Sequence, residues 1–304
     1  MTEKQLIRKA DNLANDLRQN GGMLNADQTT RFIKKMMSEP TIINVARTVT
    51  MKSDTLNINK VGIGERLLQA ATPNTAPGNR KKPTTSKVPL VCKEVIAEIR
   101  LDYETIEDNI EGEDFVTTVL DLVAQRAAVD LEELFIKGDT ALAGSDAFLG
   151  LFDGLVKRVT SNVMDADSDP LNSRMCRDVI KMLDPKYRQR RNALKWLITP
   201  DDAEDLIHTV SQRQTNLGDQ ALVGDAPVRI AGIGGIPASM LPEKTMFLTD
   251  PKNLIIGIRR RITLESERLI SERQLKFVLT SRVAFNIEEE EAIVKVENIG
   301  DPVD

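Results

Sequence analysis

The stretch that decides the fold runs from residue 91 to residue 137, and its hydrophobic period changes partway along. The first part, VCKEVIAEIRL at 91–101, alternates apolar and polar side chains as a half-buried β-strand does. The last part, EDFVTTVLDLVAQRAAVDLEELFIK at 113–137, repeats apolar residues every three or four positions, which predicts an amphipathic helix ended by Gly138. Such a helix is roughly 38 Å long, so it can form the axis of an elongated domain. Its apolar stripe consists of Val116, Leu120, Val123, Ala127, Leu131 and Leu134.

The strand at 91–101 is predicted to return from a long β-hairpin. Upstream of it, VTM at 49–51 and LNINKVGI at 56–63 indicate the outgoing strand, so we predict a hairpin within residues 41–101. The returning strand has one apolar and one charged face. The apolar face is Val91, Val95, Ala97, Ile99 and Leu101, and the charged face is Glu94, Glu98 and Arg100.

The tip of this hairpin, residues 72–89, carries four prolines and a basic cluster but almost no side chain that could fill a core. Arms of roughly 20 residues reach on the order of 60 Å, whereas a compact chain of this length has a radius of about 20 Å. The tip must therefore contact another subunit, and deleting residues 72–89 should prevent assembly without unfolding the subunit. The predicted inter-subunit contact residues are Pro73, Pro77, Arg80, Lys81, Lys82, Pro83 and Lys87.

The rest of the chain alternates between helix and strand signals. Two N-terminal helices, at 6–17 and 25–39, either pack on their own domain or form an arm that docks on a neighbour. The run of four glutamates at 288–291 is interpreted as the solvated tip of a hairpin, and the glycines at 224, 232, 234 and 235 as hinges. Further predicted elements are a helix at 173–183, a strand at 193–198, a helix at 200–212 and a strand with alternating apolar residues at 277–287.

Composition limits the classes of function. The chain has 41 Lys and Arg against 46 Asp and Glu, and this net charge of −5 argues against a generally basic nucleic-acid-binding protein. We expect no membrane span and no signal peptide, because no apolar stretch reaches ~18 residues and the N-terminus lacks an apolar centre. Cys92 and Cys176 are far apart without a CxxC pattern, which indicates reduced thiols in a cytosol.

Residues that usually perform chemistry are scarce. The single histidine, His208, falls beside the apolar face of the 200–212 helix, and no Ser or Cys motif points to it, so a solvated or edge-packed histidine is favoured over a catalytic one. The acidic residues Asp201, Asp202, Glu204 and Asp205 are explained by the electrostatics of a helix start. We therefore predict no catalytic residues.

Three motifs resemble ligand-binding sites but lack residues that such sites need. The segment 165–170 begins like a calcium-binding loop but has Pro170 where glycine is needed, so it is interpreted as a turn before a helix. The segment 228–237 resembles a glycine-rich dinucleotide loop, but Pro237 replaces the third glycine. The basic run at 80–87, the one concentrated basic run we identified, lacks the aromatic residues that stack on bases. The prediction is therefore no metal and no cofactor.

The order of these elements resembles the major capsid proteins of tailed double-stranded-DNA bacteriophages, which have the Hong Kong 97 fold. The resemblance covers about residues 41–300, and it rests on the order and spacing of motifs that are individually degenerate. These motifs are IAEIRLDYETIEDN at 96–109, GD followed by FLGL within 138–151, WLITP at 196–200, LVGDAPV at 222–228 and MLP at 240–242.

The resemblance implies an α+β fold with a helical arm, an extended hairpin called the E-loop, a P-domain with a spine helix, and an A-domain. It implies a structural protein, not an enzyme, that assembles into the hexamers and pentamers of an icosahedral virion shell. This shell would form in the host cytoplasm, enclose double-stranded DNA without sequence-specific binding, and expand from a procapsid. The implied boundaries are 1–46 for the arm, 47–100 for the E-loop, 101–160 for the P-domain, 161–254 for the A-domain and 255–304 for the closing P-domain strands.

The resemblance also bears on the partners of this protein and on alternative functions. About 40 residues precede the β region, too few for a large fused scaffolding domain, so we expect a separate scaffolding protein beside a portal, with a decoration protein as a further candidate. No reactive Lys and Asn pair matches a motif, so crosslinking is not carried over. Two alternatives stay open: an encapsulin, which is a cargo-storing compartment of the same fold, and a soluble α/β enzyme, which the missing nucleophile, metal and phosphate motifs oppose.

Overall fold

The computed structural model describes residues 42–62, 84–103, 114–211 and 229–301, and the two predicted N-terminal helices lie outside these ranges. The described residues form a mixed architecture of two sheets and a separate two-stranded hairpin, in agreement with the expected α+β class. The helices are α1 (Ile42–Val45), α2 (Asp114–Lys137), α3 (Leu155–Arg158), α4 (Ser173–Met182), α5 (Pro185–Arg188) and α6 (Pro200–Ser211). The strands are β1 (Arg47–Thr50), β2 (Thr55–Gly62), β3 (Thr84–Val91), β4 (Lys93–Asp102), β5 (Val163–Asp165), β6 (Lys195–Ile198), β7 (Arg229–Ile230), β8 (Ile233–Pro237), β9 (Met246–Thr249), β10 (Leu254–Leu269), β11 (Gln274–Ile287) and β12 (Val294–Glu297).

The first sheet has four strands in the order β1-β10-β11-β4. Its centre is the long antiparallel pair β10 and β11, while β1 runs parallel to β10 and β4 antiparallel to β11. The predicted alternation in β11 is confirmed, since Phe277, Leu279, Val283 and Phe285 are buried on one face. Helix α2 packs on this face, and Phe135 of the helix stacks on Phe285 with ring centroids 5.6 Å apart.

Helix α2 confirms the predicted long helix, but its most buried positions lie one residue beyond the predicted stripe. Ala124 and Ala128 are buried against Phe277, whereas Val123 and Ala127 are only half-buried. The small alanine side chains allow the helix to approach the bulky Phe277 closely. Leu134 is buried as predicted, Leu131 is half-buried, and the side chains of Val116 and Leu120 lie outside the described residues.

The opposite face of the sheet is covered at one end by the root of the β2–β3 hairpin. Met51, Leu90 and Cys92 are buried there against Ile255 and Ala284. The backbone nitrogen of Met51 donates to the carbonyl of Ile258 at 2.8 Å, so Met51 is attached to β10 directly after β1. The sheet thus has the helix on one side and the hairpin root on the other.

The returning arm of the hairpin is not one continuous strand, which corrects the prediction. It breaks at Cys92, so that β3 pairs with β2 while β4 belongs to the four-stranded sheet. Val91 is consequently 50% exposed instead of lying on the apolar face, whereas Val95 and Ile99 are half-buried on that face as predicted. The described ladder between the arms spans eight residue pairs, about 26 Å at 3.3 Å per residue, and residues 63–83 of the predicted arms lie outside the described residues.

The second sheet has six strands in the order β5-β12-β9-β6-β8-β7. Trp196 of β6 is fully buried at its centre and donates from its indole nitrogen to the carbonyl of Ile230 at 3.1 Å. Helices α4 and α6 contribute Cys176, Val179 and Leu206 to the same core. The predicted elements at 173–183, 193–198 and 200–212 are confirmed.

The closing segment 255–304 is divided between the two sheets. Strands β10 and β11 belong to the four-stranded sheet, but β12 pairs with β9 and β5 in the six-stranded sheet. The expectation that all closing strands belong with the spine helix is therefore wrong for β12. Its Val294 and Val296 are fully buried in the core that also contains Trp196.

The glycine-bearing segment 229–237 is a tight β-hairpin and not a set of hinges. Strands β7 and β8 are joined by Ala231 and Gly232, both with positive φ angles (50° and 82°), as a two-residue turn of type I′ requires. Gly234 and Gly235 lie within β8, and Gly235 is paired with Trp196. The predicted hinge role is wrong for these three glycines, and Gly224 lies outside the described residues.

Candidate assembly surface

The structure describes one of the seven predicted contact residues of the hairpin tip. Lys87 is exposed on β3, where its ladder partner is Asn59. The other six, Pro73, Pro77, Arg80, Lys81, Lys82 and Pro83, lie outside the described residues. Their place in an inter-subunit contact stays a prediction.

Polar contacts fix the hairpin to the end of β11. Asn286 donates from Nδ2 to the carbonyl of Pro89 at 2.6 Å. Lys60 pairs with Glu289, with 3.0 Å between Nζ and Oε1, and also donates to the carbonyl of Glu288. These contacts and the apolar cluster at the root set the direction in which the hairpin leaves the subunit.

Ion pairs cover the sheet face opposite α2. Arg282 contacts one carboxylate oxygen of Glu94 from two nitrogens, at 3.0 and 3.2 Å, and reaches Asp54 at 2.9 Å. Arg259 pairs with the same aspartate. On β4, two residues from Glu94, Ile96 is 70% exposed. This face is therefore occupied by charges paired within the subunit, next to an apolar side chain that is open to contact.

The four glutamates at 288–291 are not the tip of a hairpin, because β11 and β12 belong to different sheets, and this corrects the sequence interpretation. Glu289 and Glu291 are exposed as predicted, with side chains 44% and 68% accessible, but all four carboxylates have partners. Each carboxylate contacts a different part of the chain, and the run thereby joins β1, the hairpin, the link before β5, and α5. Sequence distance concealed these partners, which lie between 105 and 241 residues away along the chain. The partners are Arg47 for Glu288, Lys60 for Glu289, Thr160 and Ser161 for Glu290, and Lys186 for Glu291.

Glu290 makes the most contacts of the run. Its Oε1 accepts hydrogen bonds from the backbone nitrogen and hydroxyl of Thr160, both at 2.9 Å, and from the same two groups of Ser161, both at 3.0 Å. The backbone hydrogen bond from Thr160 is the largest cause that lowers the pKa of the Glu290 carboxyl. The ionised carboxylate therefore attaches the end of the four-stranded sheet to the segment that enters the six-stranded sheet.

The residues weighed for catalysis have structural positions. Thr199 caps α6, since its hydroxyl accepts from the backbone nitrogen of Asp202 at 3.1 Å and donates to that carboxylate at 2.6 Å. His208 lies in α6, and its side chain is outside the described residues. Asp165 accepts from Asp167 and Asn298 in the turn before α4, and no group of metal-ligating side chains occurs within the described ranges.

Both cysteines are free and buried. Burial raises the pKa of Cys176 to about 12, and burial is also the main cause that raises the pKa of Cys92. A thiol held in its neutral form is a poor nucleophile.

Among the helices of the described ranges, none combines the length and apolar content needed to cross a bilayer.

Sequence reasoning missed one charged feature, the run KYRQRR at 186–191. It holds four cations in six residues with an aromatic residue between them, so it is more concentrated than the run at 80–87 that we identified as the one basic run. Counting cations in a short window would have found it. Together with α4 it forms a basic surface on the six-stranded-sheet unit.

Comparison with protein families gives a match over most of the chain. The model of the phage capsid family matches residues 20–298. The chain is 36% identical over 309 aligned residues to the prophage capsid protein YqbE of Bacillus subtilis (strain 168), and the alignment covers 97% of this chain and 98% of that protein.

Solved structures share the fold at lower identity. The procapsid of satellite phage P4, determined with its size determination (Sid) protein, matches with a TM-score of 0.66 at 15% identity and covers 99% of both chains. The holo-SrpI encapsulin complex of Synechococcus elongatus PCC 7942 matches with a TM-score of 0.58 at 8% identity, covering 85% of this chain and 87% of that one. The sheets and spine helix described above thus form a Hong Kong 97-like fold.

The family model and the relative from Bacillus subtilis both match over most of the chain. The chain therefore belongs to the phage capsid family, and it is a structural virion protein, not an enzyme, whose copies assemble into the capsomers of a shell.

Proposed function

We propose that this protein forms the hexamers and pentamers of an icosahedral shell that encloses a double-stranded DNA phage genome. Assembly takes place in the host cytoplasm, with a separate scaffolding protein and a portal as partners and a decoration protein as a further candidate. The units of this assembly are the arm 1–46, the E-loop 47–100, the spine-helix domain 101–160, the A-domain 161–254 and the closing strands 255–304, with β12 paired into the sheet of the A-domain.

The β2–β3 hairpin is the observation that carries this proposal. Its buried side chains are Met51, Val88, Leu90 and Cys92, on the side of the root, whereas Thr85, Ser86 and Lys87 further along β3 are exposed. A two-stranded hairpin alone in water is marginally stable at best. Contact with a neighbouring subunit supplies the missing burial, so the hairpin serves as the connection between copies.

The direct test shortens the hairpin while keeping its root. The sequence-based deletion of 72–89 is unsuitable because it removes Val88, which is buried in β3. Gly62 and Thr84 are paired, so residues 63–83 can be replaced by the two-residue turn Asn-Gly. We expect a folded subunit that no longer forms shells in electron microscopy.

A matched control separates the effect of hairpin length from the effect of the tip side chains. In a second variant, the six contact residues between 73 and 83 are replaced by Gly and Ser at unchanged length. If both variants fail to form shells, the side chains of the tip make the contact between subunits. If only the shortened variant fails, the length of the hairpin is what the contact requires. Intact shells from the shortened variant would refute the role of the hairpin.

Expression of the chain alone tests the scaffolding proposal. If size control comes from a separate protein, the chain alone should give particles of mixed size or unclosed sheets. Particles of one size would argue against a separate scaffolding protein.

The encapsulin alternative rests on fold likeness alone, given the 8% identity to the solved encapsulin. Purified particles distinguish the two, because an encapsulin holds a cargo enzyme and the proposed capsid holds DNA.

A further inference from the structure

The largest concentration of positive charge in the described chain lies at residues 173–191. This segment carries seven Lys and Arg against the two acids Asp178 and Asp184, in a protein whose net charge is −5. It contains α4, α5 and the turns around them. Among the contacts described for the assembly surface, this segment contributes the pair between Lys186 and Glu291.

Helix α4 arranges part of this charge in a line. Arg174, Arg177 and Lys181 are exposed and follow one another at spacings of three and four, so they share one face of the helix. The opposite face is buried in the core through Met175, Cys176, Val179 and Ile180. The line of cations is therefore held on a rigid element.

Most of these cations have no negative partner. Within the described ranges, no carboxylate forms an ion pair with Arg174, Arg177, Arg188, Arg190 or Arg191, whereas exposed arginines elsewhere, such as Arg126 with Asp130, are paired. Lys181 pairs with Asp178 at 3.2 Å, and Lys186 pairs with Glu291 at 3.1 Å. These five guanidinium groups are thus not paired with a carboxylate, and among them Arg191 also donates from Nη2 to the carbonyl of Ala231.

A surface cavity of about 700 Å³ collects three of these guanidinium groups. Arg177, Arg188 and Arg191 line it, together with Ser173 and the apolar side chains of Ile180 and Leu194. The Nε atom of Arg188 is buried and has no hydrogen-bond partner among the described residues. A buried donor without a partner calls for an explanation, and a bound anion supplies one.

We propose that this surface, defined by α4, α5 and residues 188–191, binds the phosphate backbone of DNA without reading its sequence. The inference deepens the proposed function, since the DNA would be the genome that the shell encloses. Guanidinium groups hold phosphate oxygens in two-point hydrogen bonds, which lysine does less well. Along the axis of α4, Arg177 lies about 4.5 Å beyond Arg174, and Lys181 lies about 6 Å beyond Arg177. This regular spacing suits the repeated charges of a nucleic-acid strand better than a compact anion.

The test measures DNA binding by the full-length chain as free subunits or capsomers. Fluorescence anisotropy with short duplexes of two unrelated sequences is followed from 50 to 300 mM salt. Because each neutralised phosphate contributes about 0.9 to the slope of log K against log salt, we expect the triple variant Arg174→Gln, Arg177→Gln, Arg188→Gln to lower that slope by about 2 to 3. Affinity should fall equally for both sequences, and Arg→Lys at the same positions should keep the slope.

The control variant changes three exposed cations elsewhere, Lys52→Gln, Lys93→Gln and Arg126→Gln, and therefore has the same net charge. Melting curves of both variants verify folding. A slope lowered as much by the control would overturn the proposal, and so would tighter binding of polyglutamate than of DNA, which would assign the surface to an acidic protein segment. Because no shell is needed, failure here is separate from failure to form particles.

Discussion

Glu132 in the spine helix accepts a hydrogen bond from the backbone nitrogen of Ile42, 90 residues earlier in the chain, at 3.0 Å. The carboxyl is only 2% exposed and lies among apolar side chains that include Phe135, Leu155 and Phe285. Burial raises the pKa of Glu132, and the hydrogen bond from Ile42 acts in the opposite direction. This contact holds the start of the described chain against α2.

The raised pKa of Glu132 makes the subunit less stable as pH rises. A group whose folded pKa lies above its ordinary value of about 4.3 contributes stability below that value, and this contribution is lost as pH rises through the folded pKa. We expect Glu132→Gln, whose amide oxygen can accept the same bond without a charge, to lose less stability than the parent between pH 4.5 and pH 7.5. Urea unfolding at both pH values measures this, and equal losses in the two proteins would contradict it.

Glu132→Ala should behave differently from Glu132→Gln. It leaves the backbone nitrogen of Ile42 without a partner, which costs about 1–3 kcal/mol of unfolding free energy. The same urea measurements at pH 4.5 compare the two variants. Equal stability of the alanine and glutamine variants would show that the hydrogen bond contributes nothing.

Glu290 should show the opposite pH dependence. Its pKa is lowered, so its contribution is present above the ordinary value and lost as pH falls through the folded pKa. Removing the four hydrogen bonds by Glu290→Ala should cost about 1–3 kcal/mol at pH 7 and less below pH 4. The matched control is Glu291→Gln, which breaks an exposed pair with Lys186 and should cost less than about 1 kcal/mol. Similar costs for both variants, by thermal unfolding, would refute the role given to Glu290.

Gly138 at the end of α2 should not tolerate a side chain. A Cβ atom there would come within 2.4 Å of the Phe152 carbonyl oxygen and 2.6 Å of the Leu134 carbonyl oxygen, both on the backbone. We expect Gly138→Ala to cost about 1–3 kcal/mol of unfolding free energy. Gly144→Ala is the control, because nothing lies within 4 Å of its added Cβ, and a neutral or slightly stabilising effect is expected. A neutral Gly138→Ala in thermal unfolding would contradict this packing.

Cys176 should serve as a reporter of unfolding. Because the thiol is fully buried and burial raises its pKa to about 12, a thiol reagent at pH 8 should not modify it in the folded subunit. In a Cys92→Ser variant, labelling of Cys176 is expected to appear only across the urea transition. Rapid labelling without denaturant would show that the six-stranded-sheet core opens.

Local sequence patterns predicted the elements in which apolar residues recur at one constant spacing. Helix α2 and strand β11 formed where their spacing indicated, because an amphipathic face exists before any tertiary contact is made. The acidic residues Asp201 and Asp202 similarly indicated the start of α6. The break at Cys92 was not predictable in this way, since Ile96 is likewise apolar on the charged face and the strand does not break there. The packing of Met51 and Leu90 against the sheet shows why the strand divides at Cys92.

The sequence by itself determined the periods, the caps, the net charge and the order of elements from which the capsid family could be identified. Only the tertiary structure decided which strands share a sheet and which charges meet. It placed β12 beside β9 and gave each of the four glutamates a partner far along the chain. The physical reason is that hydrophobic periodicity is a property of neighbouring residues, whereas sheet membership and ion pairing depend on where distant segments come together in space.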